Sequence, residues 1–298
     1  MEWQGDTKQP IGCASSGGGL EMLPFDLFDF GYFPRWLDSL DELEAMAQPE
    51  PWAFPGDDPG SRYNTLNPLL ERYINSVYTR AAALYNEAGS QEERDQLVAI
   101  RRDFAAFDTG LVTPEYAPIL AYFARNTRPG ERRWYFKGWA TPSSHMLARA
   151  APLPKRVPFT ASTPYNPAWP VRVNTQHMIQ DEDNIQRIPP EVRNTKFLAL
   201  LLESAVELAR RQAAVFPELV VPQYYQRRIQ YLLPICLTDP ERPDLAMTLQ
   251  PADGYYIGST MLTLRMAYTN ARVTGRRMAP WLAEPMKGRQ DDGKQTET

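Results

Sequence analysis

Residues 228–272 read RIQYLLPICLTDPERPDLAMTLQPADGYYIGSTMLTLRMAYTNAR. Three segments in this run, Arg228–Leu237, Leu245–Gln250 and Tyr255–Leu262, have a repeat of two. Successive side chains of a strand face opposite ways, so this repeat predicts strands. Asp253-Gly254 supplies a hairpin turn, since glycine accepts the positive φ that such turns need. Thr263 stands where a helix N-cap belongs, ahead of Leu264, Ala267, Tyr268 and Ala271 at helical spacing. Strands that follow one another without intervening helices predict an antiparallel meander.

Outward from this run, Thr195–Phe216 carries two apolar rows and a narrow polar strip of Glu203, Glu207 and Arg211. That pattern predicts a helix buried on most sides, the central core element. Leu66–Ala88, Gln91–Arg102 and Tyr116–Arg125 also read as helices, and Phe104–Phe107 as a strand that ends in an Asp108-Thr109-Gly110 turn. Arg132–Trp139 alternates as a strand, with Arg133, Tyr135 and Lys137 on one face. Six prolines between Pro152 and Pro170 predict an extended surface loop. The expected fold class is α+β: a largely antiparallel sheet packed against a buried central helix, with further helices at the start and end of the domain.

The net charge of −4 over 298 residues conceals a segregation. Residues 1–60 hold 12 acids and two bases, and the remainder holds 30 bases and 24 acids. Within 120–230 there are 16 bases against 8 acids, and 26 of the 32 bases in the chain are arginine. Charge asymmetry of this kind points to a nucleic-acid partner. The expected organisation is an acidic, Pro/Gly-rich flexible segment over 1–61, a single α+β domain over 62–285 and a polar tail over 286–298. Within the first segment, Phe25–Ala47 mixes aromatic and acidic residues. It reads either as an element that docks on a protein partner or as one that packs on its own domain. A third reading has the acidic segment covering the basic body in cis.

Several chemistries are excluded or disfavoured. The longest apolar run, Phe197–Leu202, is six residues, against about 20 for a membrane-spanning helix. No basic-then-apolar segment opens the sequence, and a cytoplasmic location is expected. There is no phosphate-binding glycine loop, and His145, His177, Cys13 and Cys236 have no ligand spacing, so neither cofactor nor metal is expected. Cys236 lies in an apolar run and reads as a core thiol. Asn174, His177, Asn184 and Arg187 fall within 14 residues and are donors suited to phosphates or base edges. Gln223, Tyr224 and Arg228 lead a strand, and Asn270 and Arg272 lie on the terminal helix. The candidate ligand-binding set is therefore Asn174, His177, Arg187, Gln223, Tyr224, Arg228, Asn270 and Arg272. In it Arg187, Arg228 and Arg272 would bind phosphates, Tyr224 would stack, and the amides would read polar edges; His177 is the one catalytic candidate.

Pro222-Gln223-Tyr224-Tyr225, Ile229–Pro234, Asp244-Leu245-Ala246, Met261–Leu264 with Met266-Ala267-Tyr268, and Asn270-Ala271-Arg272 together resemble a bacterial family known as domain of unknown function 3825. Phe107–Leu111, the Trp134–Gly138 strand, and His177 with Asn184 and Arg187 extend the resemblance over Arg101–Leu282. It implies no reaction; by the domain company of its members it implies association with RNA. Two positions depart from the family pattern: Asp108 stands where asparagine is expected, and Arg265 where aspartate is expected. Three functions follow as expectations. The first is an RNA- or nucleotide-associated domain that binds phosphate-bearing ligands through a basic, amide- and aromatic-lined surface. The second is an enzyme on RNA ends or nucleotides with His177 as general acid or base. The third is a protein-interaction module of a stress or defence system.

Overall fold

The computed structural model describes residues 22–57, 67–128, 132–147, 152–160 and 164–287, the side chain of His177 excepted. The expected flexibility of residues 1–21 and the expected tail after 287 lie outside the described residues. The chain is α+β, with two five-stranded sheets in place of the expected one.

The first part of the chain forms α1 (Leu27–Phe30), β1 (Gly31–Tyr32), α2 (Trp36–Met46), α3 (Pro68–Glu87) and α4 (Gln91–Leu97). Next come β2 (Val98–Ile100), β3 (Phe104–Val112), β4 (Pro118–Arg125) and β5 (Trp134–Ala140). Sheet A has the order β1-β5-β4-β3-β2, with only β1·β5 parallel. The second part forms β6 (Val171–Val173), α5 (Thr175–Gln180), α6 (Glu182–Arg187), α7 (Pro190–Arg193) and α8 (Leu198–Val215). It continues through β7 (Val221–Tyr225), β8 (Arg228–Ile235), β9 (Leu245–Pro251), β10 (Tyr256–Thr263), α9 (Leu264–Arg272) and α10 (Pro280–Ala283). Sheet B has the order β6-β10-β9-β8-β7, antiparallel except for β6·β10.

The expected meander is β8–β9–β10, and Thr263 caps α9 by accepting from the Met266 amide. One core joins the inner face of sheet A (Ala105, Phe107, Phe123, Trp134), α3 and α9, and one face of sheet B (Val221, Leu232, Ala246, Leu262). The buried helix is therefore α3, with ten buried side chains. The expected central helix, α8, instead lies on the other face of sheet B through Leu198, Leu202, Ala205, Val206, Ala209 and Ala213. Its opposite side leaves Phe197 72% and Leu200 60% exposed.

Two local expectations are also corrected. In place of the expected helix over Tyr116–Arg125 stands the strand β4, Pro118–Arg125, because pairing on both sides outweighs helical spacing: Ile119, Ala121 and Phe123 face the core. Helix α4 stops at Leu97, after its Ser90/Glu93 capping box, and Val98–Ile100 joins the sheet.

The acidic segment has a partner in its own chain. Leu27, Phe30, Leu40, Leu43, Trp52 and Phe54 are buried in the main core, and β1 adds a strand to sheet A. Each buried apolar side chain contributes about 1.5–3 kcal/mol. The exposed Arg132–Asp29 pair, at 3.0 Å, belongs to a class worth at most about 1 kcal/mol. Packing, more than charge, holds residues 22–57 in place. Of the two readings of Phe25–Ala47, packing on its own domain is the one the described residues take. No helix among them is long and apolar enough to cross a membrane.

Candidate nucleic-acid interface

The eight residues singled out from sequence do not converge. Arg187 donates to the Met261 carbonyl at 2.8 Å and to Asn184 Oδ1 at 3.4 Å, while Asn184 accepts from the Met261 amide at 3.0 Å. Together they fasten α6 to the irregular middle of β10, a structural role in place of the expected phosphate contact. Asn174 is exposed just ahead of α5, on the same side of sheet B. His177 lies within α5, and its side chain falls outside the described residues.

The other five lie around the opposite, β7–β8 side. Gln223 is fully buried; it accepts from Asn270 Nδ2 at 3.1 Å and donates to Gln230 Oε1 at 3.0 Å. Those amides bind one another across β7, β8 and α9. Arg272 is 4% exposed, ion-paired with Glu50 and set between the rings of Trp52 and Tyr73, 4.9 and 4.8 Å from their centroids. That placement leaves its guanidinium no face for a phosphate. Tyr224 is 4% exposed and cannot stack on a base. Arg228, by contrast, is exposed at the hairpin tip. Cys236 is half-buried; burial, then Asp244 and Asp239, push its thiol up to about 11. It is protonated at neutral pH and a poor nucleophile.

A surface with the expected chemistry lies elsewhere, on the outer face of sheet A. Register places Tyr32, Tyr135, Ala124 and Phe104 in one row across β1, β5, β4 and β3. Tyr32 is 41% exposed, and its ring lies 5.8 Å from that of Tyr135. Lys137 stands over the Tyr135 ring at 5.6 Å. Phe104 and Tyr122 stack at 5.9 Å with an interplanar angle of 24°. At Gly138, in the bulge beside Tyr122, φ is +141° and the space a Cβ would occupy is open. The far end of this face is closed by Leu147 and Leu153 over Leu120 and Ala106. Among the described residues nothing closes the Tyr32–Tyr135 end, where Tyr32 is exposed.

Chain topology supplies the cations. The β2–β3 turn and the β4–β5 connection meet at one end of sheet A, since Phe104 pairs with Ala124 and Arg125 with Trp134. Arg102 and Arg125 therefore meet at this end of the sheet, and Arg101, Arg128, Arg132 and Arg133 lie in the same two connections, with Arg133 over the ring of Trp134 at 4.9 Å. Arg125 Nη1 donates to the Arg102 carbonyl at 3.4 Å. Arg101 and Arg132 are paired with Asp95 and Asp29. Arg102 and Arg125 have no carboxylate partner among the described residues. Rings that lie on an open sheet face, with cations at its edge, can stack bases and neutralise phosphates together.

Sequence reasoning found only Arg133, Tyr135 and Lys137 of this surface. Tyr122 was hidden by the helical reading of 116–125, and Tyr32 by the assignment of its segment to a flexible tail. Ile119–Ala124 is apolar or aromatic at every position, so no alternation marks the strand, and only its pairing with β3 and β5 reveals it.

A second polar cluster lies in the core of the seam between the sheets. Asp108 is 5% exposed and accepts from the Gly110 amide at 2.7 Å, which shapes a bulge within β3 where a turn was expected. Burial raises its carboxyl to about 6, against the favourable Gly110 hydrogen bond and the nearby Arg156 guanidinium. A Cβ on Gly110, whose φ is +74°, would meet the Tyr73 hydroxyl at 2.6 Å. Burial also raises the Tyr73 phenol, against the charges of Arg272 and Arg156.

The fold and surface define a two-sheet α+β protein with an open aromatic face and an arginine-rich rim. Residues 43–281 match the family described as domain of unknown function DUF3825, and the chain belongs to that family. No curated protein and no solved structure matches it in sequence.

Proposed function

We propose that this chain is an RNA- or nucleotide-associated domain and that it binds single strands on the outer face of sheet A. The observation that supports this most is the pairing of Tyr32 with Tyr135 at the open end of that face, with the exposed Arg102 and Arg125 at the same end of the sheet and the Phe104–Tyr122 stack further in against the Leu120–Leu147 cluster. Stacking is sequence-tolerant and worth about 1–3 kcal/mol per base. The arginines set orientation and add a salt-dependent component. The phosphate-bearing partner expected from composition is retained; the residues that meet it change. Binding of a short fluorescent single-stranded RNA, followed by anisotropy between 50 and 200 mM salt, tests the reading. Affinity falls steeply with salt, and Tyr32→Ala/Tyr135→Ala weakens it by about tenfold or more. Salt-independent binding that the double variant retains unchanged removes the basis for the proposal.

An enzyme on RNA ends or nucleotides is the second reading, and one observation favours it: a buried carboxyl, Asp108, held near pH 6 beside Tyr73 and Arg156. Groups matched to neutral pH in this way are suited to proton transfer. RNA turnover that follows a pKa near 6 and is lost in Asp108→Asn supports it; unchanged turnover in that variant excludes this residue.

A further inference from the structure

Tyr224 does not stack, yet its hydroxyl remains unexplained. The oxygen is buried and has no hydrogen-bond partner among the described residues. Phenylalanine would fill the same space against Phe159, 5.3 Å away edge-on, without desolvating a donor. Two arginines lie near the Tyr224 side chain and act on its phenol. Arg80, from α3, lies over the Tyr224 ring at 5.9 Å and donates to the Pro158 carbonyl at 3.3 Å. Arg227, from the β7–β8 turn, lies over the Phe25 ring at 4.3 Å and is close enough to Tyr224 to favour its ionisation. Among the described residues neither arginine has a carboxylate partner, although the exposed Glu87 also acts on the phenol.

The turn itself adds a second oddity. Gln226 and Arg227 both take positive φ, +48° and +63°, in a two-residue hairpin where Asn-Gly or Gly would be unstrained. Arginine is held there at a conformational cost that glycine would remove. Arg228, next in sequence, is exposed on the same tip.

We infer that Arg80, Arg227 and the Tyr224 hydroxyl form an anion site for a phosphate monoester, with Tyr224 donating to a phosphate oxygen that the two guanidiniums neutralise. An oxygen acceptor satisfies the orphan O–H, and charge-assisted bonds from arginine suit a tetrahedral oxyanion. The phosphate belongs either to a free mononucleotide or to the 5′ end of a strand. Because the site is built from α3 and the sheet B hairpin, it stands or falls apart from the sheet A face.

The full chain is titrated with inorganic phosphate and adenosine monophosphate by calorimetry, and with matched 5′-phosphorylated and 5′-hydroxyl oligonucleotides. Tyr224→Phe is expected to bind the monophosphate about tenfold or more weakly with no loss of thermal stability, since it deletes only an unsatisfied donor. Arg227→Gly is expected to bind weakly and to melt higher, since it removes both the charge and the strained φ. Preference for the phosphorylated over the hydroxyl strand identifies a strand end; binding of the monophosphate without that preference identifies a free nucleotide. Equal affinity in the wild type and both variants, or no binding of any phosphate-bearing probe, overturns the inference.

Discussion

Replacing Asp108 by asparagine separates the two duties of that side chain. The Gly110 amide needs only an acceptor, which asparagine keeps, so the bulge in β3 persists. What disappears is a carboxyl that burial raises from 3.8 to about 6. Two pK units correspond to about 3 kcal/mol. Because the folded-state pKa is raised, the folded chain holds its proton where the unfolded chain has lost it. No penalty is present below about pH 4; stability falls as pH rises toward 6, and the full penalty persists above that. Asp108→Asn therefore unfolds with up to about 3 kcal/mol more stability than the wild type at pH 7.5, and with equal stability near pH 4. Urea unfolding followed by tryptophan fluorescence, with both chains measured from pH 4 to 8, reads that difference directly. A variant less stable than the wild type at pH 7.5 would show that Arg156 more than compensates the buried charge. A pH-independent difference would show that Asp108 does not titrate in this window.

Further outcomes follow from the same structure. Arg272→Met leaves Glu50 buried without its main partner and costs about 3–5 kcal/mol, while Arg272→Met/Glu50→Leu recovers most of that in a denaturation series. Gly110→Ala lowers the melting temperature, because alanine at φ +74° costs about 1–2 kcal/mol and its Cβ displaces the Tyr73 hydroxyl. Cys236 reacts with a thiol reagent far more slowly than free cysteine at pH 7.5, and urea at unfolding concentrations restores the ordinary rate.

Much of the fold was legible because its signals are local. The β8–β9–β10 meander, the Thr263 cap and the long α3 follow from repeat length, a turn dipeptide and a capping residue, all within a few positions. What was not legible depends on distant pairing. Ile119, Ala121 and Phe123 form a strand because β3 and β5 lie on either side of it. Helix α8 is apolar around most of its circumference, so its sequence could not show that only one stripe would be covered. The acidic segment illustrates the same limit: Trp52 and Glu50 meet Tyr73 and Arg272 across separations that composition does not register. For the candidate site, side-chain chemistry was legible in the sequence, but burial was not. Gln223, Tyr224, Arg187 and Arg272 were turned inward by tertiary packing, while Tyr32 and Tyr122 were turned outward by it.

Ultraviolet crosslinking of the full chain to a short single-stranded RNA, with mass-spectrometric mapping of the adducts, tests the central claim most directly. The aromatic face of sheet A predicts adducts on peptides that contain Tyr32, Tyr122 or Tyr135, lost when salt is raised. Adducts that avoid β1, β4 and β5 altogether, or none above those of an unrelated control protein, would contradict it.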